Sequence, residues 1–163
     1  MKIKLMRILI AVVCGFILAG VGLTVGVLVG SKDRNTLRVE LQEGKPESIV
    51  FEDLNMAPGK STEYTISLTN DVTGDCALSF SFEELEDSPL KQYVYATVEI
   101  NGESVCDELL ADLLDGHEIT TDITLHRSEP TTVTVRYSMP VEIGNEAQNT
   151  TASFQINLTA SNQ

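Results

Sequence analysis

Period-two alternation runs through most of this chain and limits its fold more than any other feature. Leu37, Val39 and Leu41 alternate with Arg38 and Glu40, and Tyr64, Ile66 and Leu68 alternate with Thr65, Ser67 and Thr69. Leu78, Phe80 and Phe82 follow, then Val94, Ala96, Val98 and Ile100, then Ile119, Ile123 and Leu125. The last two runs are the cleanest: Val133, Val135, Tyr137 and Met139, then Ala152, Phe154, Ile156, Leu158 and Ala160. Residues 48–54 form a less regular strand candidate. Successive side chains of a strand point to opposite faces, so each run buries one face and wets the other. Pro58-Gly59, Asn70-Asp71, Gly74-Asp75, Asn101-Gly102, Glu129-Pro130 and Gly144-Asn145 punctuate the runs with turn chemistry. About eight strands at this spacing predict an all-β chain, an antiparallel β-sandwich or barrel whose apolar faces meet across two sheets.

One segment breaks the pattern. Residues 105–114 place Val105, Leu109, Leu110, Leu113 and Leu114 at helical spacing. Ser104 is placed to cap that helix with Asp107 three residues on, and Gly116 to end it. The spacing predicts a short amphipathic helix that covers an end or edge of the sandwich. Its acidic polar face argues against lying on a membrane.

The N-terminus follows a different logic. Residues 8–30 are 23 residues without a charge, rich in Leu, Ile, Val, Ala and Gly, about the length a helix needs to span a bilayer core. Lys2, Lys4 and Arg7 precede the run, which favours a cytoplasmic N-terminus and an exported remainder. A retained transmembrane anchor and a cleaved signal peptide ending near Val29-Gly30-Ser31 both fit. Cys14 inside the run lacks the sequence context of a lipidated cysteine. The expected organisation is an anchor or signal helix over residues 1–31, a polar linker over 32–35 and a sandwich domain over 36–163.

Beyond the apolar run, eight basic residues face 24 acidic ones, a net charge of −16. Such a surface repels phosphate backbones and excludes nucleic acid as a natural partner. The expected partners are the membrane, through the N-terminal helix, and other copies of the chain or a surface protein. The expected location is the extracellular face of the cell membrane or the medium.

Catalytic constellations are sparse. The two histidines, His117 and His126, form no His-Glu-x-x-His, and neither a Gly-x-Ser-x-Gly elbow nor a phosphate-cradling loop occurs. No catalytic residue, cofactor or metal ligand is assigned. Cys76 shares the parity of Leu78 and Phe80, and Cys106 falls in the first turn of the expected helix. A disulfide between them and a pair of buried free thiols are both open readings; a bridge would close a loop of about 30 residues, worth roughly 3–4 kcal/mol. The acidic segments 71–75 and 83–87 supply oxygen atoms of the kind calcium takes, without the spacing of a calcium loop. With no Trp and most Tyr and Phe at core parity, sugar binding lacks stacking platforms. Asn149-Thr150-Thr151 and Asn157-Leu158-Thr159 are formal glycosylation sequons.

The densest polar cluster is a corner before the last strand: Pro140, then Gly144-Asn145-Glu146 with Gln148. Pro140 is expected to end the preceding strand and Gly144 to allow a turn other residues resist. Asn145, Glu146 and Gln148 are then expected to satisfy loop backbone groups. A metal or partner site is the competing reading.

Two stretches together resemble the TasA/camelysin family of exported bacterial surface proteins. The first is Leu54-Asn55-Met56-Ala57-Pro58-Gly59, followed by Tyr64-Thr65-Ile66-Ser67-Leu68-Thr69-Asn70. The second is more specific: Tyr137-Ser138-Met139-Pro140, Gly144-Asn145-Glu146 with Gln148, Ala152-Ser153-Phe154 and a final Gln163. The resemblance implies a jelly-roll-like sandwich behind an export segment, working in an extracellular matrix, in fibres or at the cell surface. The family's aromatic-rich start is missing here, and no residue matches the metal-ligand motif that its metallopeptidase label would need. The expected function is a non-enzymatic surface or matrix-associated protein, with a membrane-anchored adhesin or accessory binding module as the alternative and a metallopeptidase behind both.

Overall fold

The computed structural model describes residues 27–29, 36–42, 45–71, 74–116, 118–147 and 149–162. Among them are ten strands: β1 (Val27–Val29), β2 (Thr36–Leu41), β3 (Glu47–Leu54), β4 (Ser61–Asn70), β5 (Cys76–Glu86), β6 (Tyr95–Ile100), β7 (Glu103–Leu109), β8 (Ile119–Leu125), β9 (Pro130–Ser138) and β10 (Ala152–Asn162). They form two five-stranded sheets, ordered β1-β3-β10-β5-β8 and β2-β4-β9-β6-β7. Setting β1 and β2 aside, the first strand pairs with the last and the pairing works inward: β3 with β10, β4 with β9, β5 with β8, β6 with β7, all antiparallel. This is a long hairpin rolled so that its strands alternate between two sheets, the connectivity of a jelly roll.

The alternation seen in the sequence builds the core. Along β10 the burial alternates without a break from Ala152 to Ala160, and Phe154, Ile156 and Leu158 meet Phe80, Phe82 and Ile49 in one cluster shared by both sheets. A slip of one residue would turn that whole row toward water. The irregular strand β3 owes its break to a bulge. Its pairing with β10 shifts by one residue near Asp53, whose φ is +53°, so Leu54 faces inward like Ile49 and Phe51. At the same end, β5 shifts against β10 around Leu85, which is left exposed.

Three expectations change. The sheets are not wholly antiparallel, because β1 runs parallel to β3 and β2 parallel to β4. Both lie on edges that the rolled hairpin leaves free, and an edge strand's open N–H and C=O groups accept a partner in either direction. Val27–Val29, at the end of the apolar run, is therefore strand rather than helix. Residues 1–26, where the anchor or signal helix is expected, lie outside the described residues, as does the linker 32–35. Among the described residues no helix is long and apolar enough to cross a membrane.

The third change is the helix expected over 105–114. Residues 103–109 are strand β7, and the helix is one turn, α1 (Leu110–Leu113), whose first residue follows Leu109 without a side-chain cap. Asn101-Gly102 decides this. Both take positive φ, +52° and +85°, which is the geometry of a two-residue hairpin turn. That turn commits the chain to pair with β6, and a register shift near Val105 absorbs the mismatch. Leu110 and Leu113 are buried, so the turn still closes part of the sandwich against the 3-10 turn Pro89–Gln92.

Candidate functional site

The Pro-Gly turn and the polar corner, far apart in sequence, are neighbours in space. The Gly59 N–H donates to the Met139 carbonyl (2.9 Å) and the Met139 N–H to the Lys60 carbonyl (3.0 Å), extending the β4–β9 ladder. Leu54 pairs with Ala152, and Met56, Met139 and Ala147 are all buried here. Gly59 takes φ +73°, where a side chain is strained.

Among the described residues the corner is anchored by packing, through Ala147. Gly144 is outside the left-handed region, so it is not the residue that makes the turn. Asn149, at φ +60°, takes that conformation instead. Glu146 is exposed, folds back over Gly144 and makes no hydrogen bond among the described residues. Ala147 is the buried anchor of the 3-10 turn Asn145–Ala147, and the Thr150 hydroxyl donates to its carbonyl (2.8 Å). Strand β9 stops at Ser138, two residues before Pro140. Gln148 and the side chain of Asn145 lie outside the described residues.

A concave polar surface lies elsewhere, on the outward face of the β3-β10-β5 strands. It is a groove of about 560 Å³. Its floor carries Ser48 and Val50 from β3, Gln155, Asn157 and Thr159 from β10, and Ser81 with Glu83 from β5. Pro46 stands at one side, and Gly116 with Glu118 at the other. Glu83 Oε2 accepts from Gln155 Nε2 (2.7 Å) and Asn157 Nδ2 (3.3 Å), and the Ser48 hydroxyl donates to Asn157 Oδ1 (2.6 Å). The Ser79 hydroxyl donates to Glu118. These bonds run across three adjacent strands and lock the side chains to a rigid sheet.

No family model and no curated protein matches the chain. Among solved structures, it is similar to the CUB1-EGF-CUB2 domains of rat MASP-1, with 18% identity, a TM-score of 0.43, and 78% of this chain and 43% of that one covered. It is also similar to the insecticidal delta-endotoxin Cry8Ea1 from Bacillus thuringiensis, with 12% identity, a TM-score of 0.36, and 73% and 20% of the two chains covered. A beta-glucosidase from Paenibacillus barengoltzii gives 9% identity, a TM-score of 0.28, and coverages of 81% and 13%. The matched region spans less than half the length of each of these chains.

The other candidates stay apart. Cys76 and Cys106 are both buried free thiols, so no bridge links them. They belong to different sheets: Cys76 opens β5, 3.5 Å from Asn162 Oδ1, while Cys106 lies in β7. Burial, then Glu108 and Asp107, pushes the Cys106 thiol up from 9.0 to about 11. The segment 83–87 is not an acidic turn, because Glu83 to Glu86 complete β5. Lys91 takes both Glu84 (2.7 Å) and Asp87 (2.7 Å). His126 Nδ1 lies 3.1 Å from Asp75 Oδ1 on an exposed loop, and His117 lies outside the described residues. Among the described residues no group of three or more His, Cys, Asp or Glu side chains gathers as a metal site.

Sequence reasoning passed over the groove. Its signal was nonetheless present: the wet parity of β10 reads Ser153, Gln155, Asn157, Thr159, all uncharged, in a chain whose surface is otherwise acidic. Asn70 was also missed as a structural hub. It is buried at the end of β4, and its Nδ2 donates to the Gly74 and Leu125 carbonyls (3.0 Å each).

Proposed function

We propose that this chain is an exported, non-enzymatic β-sandwich displayed at the cell surface, and that it works by contact through its outer faces. The observation that carries the reading is the division of labour between its two polar features. The corner sets Ala147 into the core, whereas the groove on β3-β10-β5 is open, with Ser48, Asn157, Gln155 and Glu83 on its floor fixed by one another. The apolar run with Lys2, Lys4 and Arg7 ahead of it supports export. The two segments that resemble the TasA/camelysin family support a role in a surface layer or matrix. They meet in space, where Leu54 pairs with Ala152 and Gly59 bonds to Met139.

The groove favours the binding-module form of this reading over simple self-assembly, since a preorganised polar concavity is a recognition feature. Fractionating the producing cells and sequencing the mature N-terminus tests the proposal. Recovery with the membrane or in the medium is expected, and recovery as a soluble cytoplasmic protein would end it. Sedimentation of the purified full chain, with and without calcium, separates the two forms. A monomer at high concentration favours binding of another molecule, and calcium-independent polymers favour a matrix subunit.

A further inference from the structure

We infer that the groove across β3, β10 and β5 is a binding site for an uncharged saccharide, such as a short stretch of a neutral glycan chain; this rests on the surface-module reading above. Its capacity, about 560 Å³, falls within the roughly 300–1,000 Å³ usual for small-ligand sites. What selects the ligand is the pattern of unused hydrogen-bonding groups. Glu83 Oε2 is engaged by two amides, and its other oxygen has no partner among the described residues. Gln155 and Asn157 each spend one amide proton on Glu83 and keep the second, and Gln155 Oε1 is also unused. The hydroxyls of Ser81 and Thr159 have no partner among the described residues. Donors and acceptors therefore alternate between Gln155 and Asn157 on β10 and Glu83 on β5, adjacent strands about 4.8 Å apart.

That alternation separates ligand classes. An anion would meet Glu83 and Glu118, and the described lining residues include no cation. An ammonium group has donors alone and would leave the free amide protons unmet. A peptide segment draws its affinity from large apolar anchors, and here Val50 and Pro46 are the apolar lining. A sugar hydroxyl both gives and accepts a hydrogen bond, and the C–H face of the ring suits the apolar side chain of Val50 on the β3 side of the floor. The lack of tryptophan, which counts against a stacked sugar, leaves a hydrogen-bonded one untouched. It sets the expected affinity low, with a Kd on the order of 0.1–1 mM.

The test is calorimetric titration of the full-length chain, held in a sugar-free zwitterionic detergent. The probes are cellohexaose, maltohexaose and chitohexaose, with hexalysine and an uncharged decapeptide as contrasts. At least one hexasaccharide is expected to bind and both contrasts to fail. Gln155→Ala is expected to weaken binding about tenfold, the loss of one to two hydrogen bonds. Ser81→Ala serves as a second variant, because its unpartnered hydroxyl is not needed for folding, and it is expected to weaken binding about threefold. No saccharide binding at about 10 mM, or binding indifferent to both substitutions, would overturn the inference. Tighter binding of hexalysine or the decapeptide would overturn the ligand class and leave the contact reading standing. Cleavage of a bound hexasaccharide would do the reverse, sinking the non-enzymatic reading while the ligand class survives.

Discussion

Tyr137 places a phenol at the centre of the aromatic cluster, with its ring 5.6 Å from Phe51, 6.1 Å from Tyr64 and 5.4 Å from Phe154. Its hydroxyl is buried without a hydrogen-bond partner among the described residues. An unmade buried hydrogen bond is a net cost, so Tyr137→Phe should raise stability by about 1 kcal/mol in urea unfolding. A loss of similar size would mean that the hydroxyl has a partner. Burial, then the nearby Tyr64, also holds the Tyr137 proton well above its ordinary 10.0. Above that pH the unfolded phenol ionises and the folded one does not, so the native state holds more protons and stability falls as pH rises. Cys106 adds the same sign of loss between 9.0 and about 11. Alkaline unfolding should therefore be blunted in Tyr137→Phe. Asn70 is the opposite case, a buried polar side chain fully used. Asn70→Ala strands the buried Leu125 carbonyl, removes a part-buried bond to the Gly74 carbonyl, and should cost about 1–3 kcal/mol.

At the scale of elements, the corner shows why motif and role part company. Gly144 and Glu146 belong to the most recognisable stretch of sequence, yet the glycine is not left-handed and the carboxylate makes no bond among the described residues. Gly144→Ala would displace the flexible end of Glu146 and nothing else, so it and Glu146→Gln should each change stability by less than about 0.5 kcal/mol. Gly59→Ala, at φ +73°, should cost about 1–2 kcal/mol. Thermal melts of the three variants rank these directly. Equal losses at Gly144 and Gly59 would restore the polar corner as the fold's pivot. The strands were legible because their apolar parity is strict, as in β9 and β10. The β6–β7 hairpin was misread because Val105, Leu109 and Leu113 also satisfy a helical period, and the two-residue turn outweighed it. Bulges at Asp53 and near Leu85 left no trace in the sequence, since they are set by pairing with β10. The groove was illegible for a related reason: Glu83, Gln155 and Asn157 become neighbours through strand register alone.

For the whole molecule, the rolled hairpin gathers the apolar rows of its strands into one core and turns a polar groove outward on β3-β10-β5. The account's central claim is that this domain stands outside the cell. Labelling an introduced thiol on intact cells tests it most directly, because the buried Cys76 and Cys106 should resist the reagent in the folded chain. Ser104, exposed on the β6–β7 hairpin, accepts a near-isosteric Ser104→Cys change. A membrane-impermeant maleimide should label that variant on intact cells and leave the unsubstituted protein unlabelled. Labelling that appears only after lysis would contradict the account.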